Sequence, residues 1–143
     1  MLIKQLSLFI ENRPGSLSAV CKVLKDHELN IHTLSLADTQ KYGILRLLLS
    51  EHETAKKVLE DAGFIVNETD VLALKVPDYA GGLADMLSII DKYELQVEYM
   101  YAFATGKDNS AVNVFRFENP QDAIEKLRGE PIQIFTQQEL FAL

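Results

Sequence analysis

The stretch Glu11-Asn12-Arg13-Pro14-Gly15-Ser16-Leu17 returns later in the chain as Pro77-Asp78-Tyr79-Ala80-Gly81-Gly82-Leu83. Gly15 answers to Gly81, Leu17 to Leu83, Leu29 to Leu95 and Thr39 to Thr105, a constant offset of 66 residues. After a two-residue insertion near Gly106-Lys107 the offset becomes 68, so that Ala55 answers to Ala123 and Leu59 to Leu127. A unit repeated at this spacing is one supersecondary module used twice, and the fold is therefore read per repeat. Each copy sets a glycine-bearing turn directly before a helix-like stretch, a geometry suited to small anions.

Working outward from the first turn, residues 2–10 alternate as a strand, with Leu6, Leu8 and Ile10 on one face and Gln5, Ser7 and Phe9 on the other. Residues 15–28 carry Leu17, Val20, Cys21 and Leu24 at helical spacing. Pro14 suits the start of that helix. Strands follow at 30–38 and 43–49, joined by the turn Gln40-Lys41-Tyr42-Gly43. A helix at 51–62 turns Ala55, Val58, Leu59 and Ala62 inward and stops at Gly63, and a strand at 64–68 completes the repeat.

The second repeat gives a strand at 70–76 and a helix at 80–93 carried by Leu83, Met86, Leu87 and Ile90. Strands at 95–104 and 110–117 flank the loop Gly106-Lys107-Asp108-Asn109, and a helix at 119–128 and a strand at 131–136 close it. Both halves read β-α-β-β-α-β, an α+β class of two ferredoxin-like repeats with antiparallel sheets and helices on one face. The expected domains are 1–69 and 70–143, coupled through the short stretch Asn67-Glu68-Thr69-Asp70 rather than loosely tethered.

Helices on one face leave the other bare. Yet strand 43–49 is apolar on both sides, with Leu45, Leu47 and Leu49 on one and Ile44 and Leu48 beside Arg46 on the other. Tyr99, Tyr101 and Phe103 likewise share one strand face. A second copy of the chain is the expected cover, hence a homodimer or larger assembly. The chain of 143 residues has a net charge of -7, which disfavours a nucleic-acid partner. No run approaches the ~18 apolar residues of a membrane span. The single cysteine forms no intrachain disulfide, and the N-terminus lacks a signal-peptide core, so a cytoplasmic location is expected.

The stretch from Glu11 to Leu49, through Leu29-Asn30-Ile31, Leu34-Ser35-Leu36-Ala37-Asp38-Thr39 and Gly43-Ile44-Leu45-Arg46-Leu47, resembles the ACT domain. This small amino-acid-sensing module is appended to many metabolic enzymes. The likeness covers the first repeat, and the element order extends it over the second, where Arg-Pro-Gly has become Tyr-Ala-Gly. The resemblance implies an effector held at the turn between the first strand and first helix, often where two modules meet. Backbone amides of Arg13, Pro14's turn, Gly15, Ser16 and Leu17 would take its carboxylate. Asn12 and Asn30, the latter followed by Ile31, would offer oxygens to its ammonium. The serine-sensing module of phosphoglycerate dehydrogenases places asparagines that match Asn12 and Asn30. Ile10 stands where that module has histidine, which suits a larger and less polar effector. In the second copy the corresponding residues are Asp78, Tyr79, Gly81, Gly82, Leu83 and Gln96.

Plainer readings stand beside these. The Asn12–Gly15 turn can serve only to start a helix, and Asp78 only to cap one. Arg46 suits an ion pair at a sheet edge as well as a carboxylate grip. His27, His32 and His52 lack metal-ligand spacing, Cys21 lies on an apolar stripe, and no cofactor motif is present, so no metal, cofactor or catalytic residue is expected. Two functions lead: a stand-alone amino-acid sensor without catalysis, or a regulatory subunit of an amino-acid biosynthetic enzyme, as the small subunit of acetolactate synthase is. A small enzyme on the same scaffold lacks a convergent acid, base and nucleophile set.

Overall fold

Residues 1–38, 40–103 and 108–143 are described by the structure, a computed structural model. Thr39, Thr105 and the Gly106-Lys107 insertion lie outside them, as does the last residue of the expected strand 95–104. The chain divides into two compact units, Lys4–Thr69, and Asp70–Leu143 together with Met1–Ile3.

In the first unit, β1 (Ile3–Glu11) leads into α1 (Ser16–Asp26), β2 (Thr33–Asp38), β3 (Tyr42–Leu48) and α2 (His52–Asp61). Strands β1 and β2 flank β3, both antiparallel to it. The register places Leu6 and Leu34 beside Leu47, and Leu8 and Leu36 beside Leu45. Leu6, Leu8, Leu45 and Leu47 are buried on the helix-covered face, where Val20 and Leu24 of α1 and Ala55 and Leu59 of α2 meet them, whereas Leu34 and Leu36 of β2 stay exposed. Each fully buried leucine contributes about 1.5–3 kcal/mol of transfer free energy. Cys21 is only half-buried, and Ala62, expected inside, is exposed because α2 ends one residue earlier.

The second unit follows the same plan with α3 (Gly82–Lys92), β5 (Val97–Phe103), β6 (Ser110–Phe117) and α4 (Pro120–Leu127). Its core gathers Leu72, Leu74 and Val76 with Met86, Ile90, Phe115, Phe117, Ala123 and Leu127. Asn119 caps α4 by accepting from the Asp122 amide at 3.1 Å, and Pro120 opens it.

Three expectations change. The strands expected at 64–68 and 70–76 are one strand, β4 (Val66–Pro77), which runs unbroken through the stretch read as a connector. Val66 belongs to the first core and Leu72 to the second. The strand expected at 131–136 is reduced to a single bridge, Leu74 to Ile134, flanked by Lys75 N–H to Gln133 and Phe135 N–H to Ala73. After it comes an unexpected short helix, α5 (Gln137–Phe141), opened by a capping box between Thr136 and Glu139. Finally, Leu48 is 0% exposed in the single chain, so it does not need a second copy to cover it; Ile44 beside Phe9 stays half-buried.

The first helix of each repeat ends in the same way. Glu28 and Glu94 take left-handed φ values of 55° and 54°. Leu29 N–H then reaches back to Leu24 and Leu95 N–H to Ile90, closing the helix ends in the six-to-one manner of a Schellman motif. Gly63 plays the same part after α2 with φ 96°.

Candidate functional site

The first turn hangs between β1 and α1. Asn12 N–H donates to the Lys41 carbonyl at 3.1 Å, and Arg13 N–H to the Glu11 carbonyl at 2.9 Å. Gly15 then takes φ 90°, a conformation that L side chains rarely adopt, and hands the chain into α1. No side chain caps α1, in contrast to α4 and α5. Its N-terminus thus keeps amide donors and a partial positive charge for an outside acceptor. An added Cβ on Gly15 would meet nothing within 4 Å, so the turn faces open space there.

Two hollows flank this turn. One of about 70 Å³ lies towards β2 and is lined by Asn12, Arg13, Ser16, Leu17, Leu36, Asp38 and Gly43 among others. A larger cleft of about 590 Å³ lies on the opposite flank, against Arg13, Pro14, Gly15, Ser16, Gly63, Phe64 and Ile65. Arg13 pairs with Glu11 at 2.8 Å on the surface. No local pattern marks Leu36, Asp38 or Phe64 as neighbours of the turn; the strand register and the α2 end bring them there.

Asn30 and Ile31 are not brought to this turn. Asn12 precedes α1 and Asn30 follows it, beyond an 11-residue helix that rises about 16 Å. Thr33, just after Asn30, pairs with Leu48, whereas the turn end of β3 is marked by Gly43 beside Ile10. Asn30 is exposed and Ile31 packs against the first core. Within one copy, then, the two asparagines cannot hold the same small molecule.

The second turn repeats the backbone geometry. Gly81 has φ 94°, Asp78 N–H donates to the Asn109 carbonyl at 2.8 Å, and α3 has no side-chain cap. Under the offsets of 66 and 68, Lys41 answers to Asn109, so this bond is the counterpart of the Asn12 bond. The chemistry around it differs. Gly82 is buried, and the Pro77 carbonyl occupies the space its side chain would need, where the first copy has Ser16. Tyr79 donates its hydroxyl to Asp85 at 3.0 Å, and that bond and the Asp85 charge raise its pKa above the ordinary 10.0. Leu83 remains partly exposed, and Gln96 turns its amide to the Val97 carbonyl at 3.1 Å. A cleft of about 360 Å³ flanks this turn, lined by Pro77, Gly82, Pro131, Ile132 and Gln133. Residues 131–133 answer to Gly63, Phe64 and Ile65, so the large cleft is duplicated as well.

A family model for the ACT domain pair matches residues 1–143. The chain belongs to the ACT domain pair family. This ACT pair is similar to a Bacteroides thetaiotaomicron protein of solved structure, at 36% identity and a TM-score of 0.92, over 100% of this chain and 98% of that one. It shares its fold with the ligand-free regulatory subunit of aspartate kinase from Thermus thermophilus, at 13% identity and a TM-score of 0.64, over 89% of this chain and 92% of that one. The corresponding subunit from Thermus flavus gives 15% identity and a TM-score of 0.62, over 87% and 90%. No curated protein matches the sequence. Among the described residues of the ACT pair, no helix is long and apolar enough to cross a membrane.

Proposed function

We propose that this ACT pair is a non-catalytic sensor of a free amino acid, bound at the first-repeat turn. The observation that carries the reading is the combination of Asn12, left-handed Gly15 and an uncapped α1 N-terminus around a hollow. A carboxylate fits the amides of Gly15 and Leu17, the Ser16 amide already donating to the Arg13 carbonyl at 3.3 Å, and the Asn12 oxygen suits an ammonium. Ile10 in the lining favours an effector with an apolar side chain. Because Asn30 stands at the far end of α1, its part in the same site requires the Asn30 of a second copy. The functional species is accordingly a cytoplasmic homodimer, with Phe9 and Ile44 on the exposed strand face available to the contact. Neither nucleic acid nor a membrane is a partner in this reading.

The fold shared with regulatory subunits of aspartate kinase favours a second reading, in which the dimer docks on a metabolic enzyme and reports effector occupancy to it. Co-purification with a catalytic chain separates the two. The first test is thermal unfolding against the standard amino acids. A ligand specific to the folded state adds about 2.7 kcal/mol at a hundredfold excess over its dissociation constant. Asn12→Ala should remove most of that gain. An unchanged melting temperature with every amino acid, or an unaltered response in Asn12→Ala, rejects the site.

A further inference from the structure

The cleft beside the second turn differs from its counterpart in the charge on its rim. In the first cleft Phe9, Ile10 and Phe64 give an apolar wall, and the rim residues Glu11 and Arg13 pair with each other at 2.8 Å. In the second repeat Pro77 and Tyr79 stand in the places of that pair. The rim instead carries Asp85 and Asp108, where the first repeat has Ala19 and Gln40. Among the described lining residues Lys75 is the one cation, and it is half-buried on β4.

This change belongs to a wider one. Residues 70–143 carry twelve Asp and Glu against six Lys and Arg, whereas residues 4–69 carry nine against eight. The acidic excess of the chain thus lies almost wholly in the second unit, and its field gathers cations at that surface. The fold does not demand either rim acid, since the first repeat builds α1 with Ala19 and the approach to β3 with Gln40. The Tyr79 hydroxyl donates to Asp85 Oδ2 at 3.0 Å and so holds the carboxylate in place.

Below the rim the cleft is apolar. Met86 is 3% exposed, and Ile89 and Ile132 are half-buried with one side on the second core. The volume of about 360 Å³ takes a large aliphatic or aromatic side chain. The backbone beside it is poorly suited to pairing with an added strand. Pro131 has no N–H, Ile132 N–H turns back to the Glu130 carbonyl at 2.7 Å, and the Gln133 carbonyl already accepts from Lys75. An occupant is therefore gripped by its side chains.

We propose that this cleft docks a segment of another protein that presents one apolar side chain flanked by lysine or arginine. The apolar side chain buries against Met86, Ile89 and Ile132, and its basic neighbours meet Asp85 and Asp108. Loss of apolar surface from water drives the contact. The rim charges speed the encounter and turn acidic segments away. Neither Asn12, Asn30 nor the first-repeat turn takes part, so this site stands or falls apart from the amino-acid reading.

Panning a displayed library of random heptapeptides on the full chain tests the inference. Enriched peptides should set lysine or arginine beside an apolar residue, and should shift the methyl signals of Met86, Ile89 and Ile132. Binding should weaken as salt is raised. Synthetic copies with glutamate in place of each basic residue should not bind. Asp85→Ala with Asp108→Gln, which restores the residues of the first repeat, should bind the peptides at least about threefold more weakly. The inference falls if no peptide is enriched, if the enriched peptides lack basic residues, or if their glutamate copies bind equally well. It also falls if the double variant keeps full affinity, or if the methyl shifts lie only in the first repeat. The thermal response to free amino acids is read separately, so either reading can fail alone.

Discussion

The carbonyl oxygen of Pro77 occupies the space that a side chain on Gly82 would need, whereas its counterpart in the first repeat, Ser16, carries one. The two turns share a backbone path and yet differ in how closely the helix start approaches the strand before it. Gly82→Ser should therefore destabilise the protein by about 1–3 kcal/mol, the usual cost of overpacking. Ser16→Gly should cost less than about 1 kcal/mol, the entropic penalty of glycine. Denaturant unfolding of the two variants checks the asymmetry; equal effects would contradict it.

The separation of Asn12 from Asn30 makes a prediction about mixed dimers. Asn12→Ala and Asn30→Ala should each weaken amino-acid binding by roughly 1–3 kcal/mol, the cost of an unmatched buried polar group. When the two variants are mixed, each heterodimer regains one site with both asparagines. Equal mixing makes about half of the dimers heterodimers, so calorimetry should then recover about a quarter of the wild-type stoichiometry at the first-repeat site. No recovery on mixing, with heterodimers verified by mass, rejects the shared site.

Glu28 and Glu94 hold left-handed backbone at the ends of α1 and α3 without the freedom of glycine. That conformation costs a non-glycine residue about 1–2 kcal/mol. Part of the gain on replacement is lost to the greater entropy of an unfolded glycine. Glu28→Gly and Glu94→Gly should each still raise stability, by up to about 1 kcal/mol, and because they lie in separate units their effects should add. Paired thermal melts of the single and double variants measure this.

Glu130 accepts hydrogen bonds from Lys92 at 2.6 Å and from the Tyr93 hydroxyl at 2.5 Å. The Lys92 bond, followed by the Tyr93 bond, lowers its pKa from the ordinary 4.5. A lowered folded-state pKa gives stability that is complete above pH 4.5 and fades as pH falls through the folded value. Glu130→Gln should thus be less stable than the wild type at neutral pH, and the two should converge well below pH 4.5. A gap that persists in acid would assign the effect to packing instead.

Much of this architecture could be read from the chain. The repeat offset, the helical spacing of Val20 and Leu24 and the glycines at 15 and 81 are local signals, and the structure carries each into place. Asn67, Glu68, Thr69 and Asp70 read as a connector because they are polar, the usual mark of a turn; in the fold they lie within β4, where polar side chains are tolerated. Helix α5 is too short for periodicity to register, although Thr136 and Glu139 spell its capping box. Alternation along β3 assigned Leu48 to a face but could not say what covers that face. The linear motif set Asn12 and Asn30 side by side as ligands, and the length of the helix between them was the clue that they part.

The unbroken run of β4 ties both copies to a single parity. Side chains alternate along it, so that Val66 meets the first core and Leu72, Leu74 and Val76 the second on one even count. An odd number of residues gained or lost near Thr69 would, with Val66 held in place, offer Lys75 to the second core in place of an aliphatic neighbour. The two copies were free to diverge in length at the β5–β6 connection, where the sequence gained two residues, but not here. A duplicated protein joined this way can drift in composition while its seam admits only even changes in length.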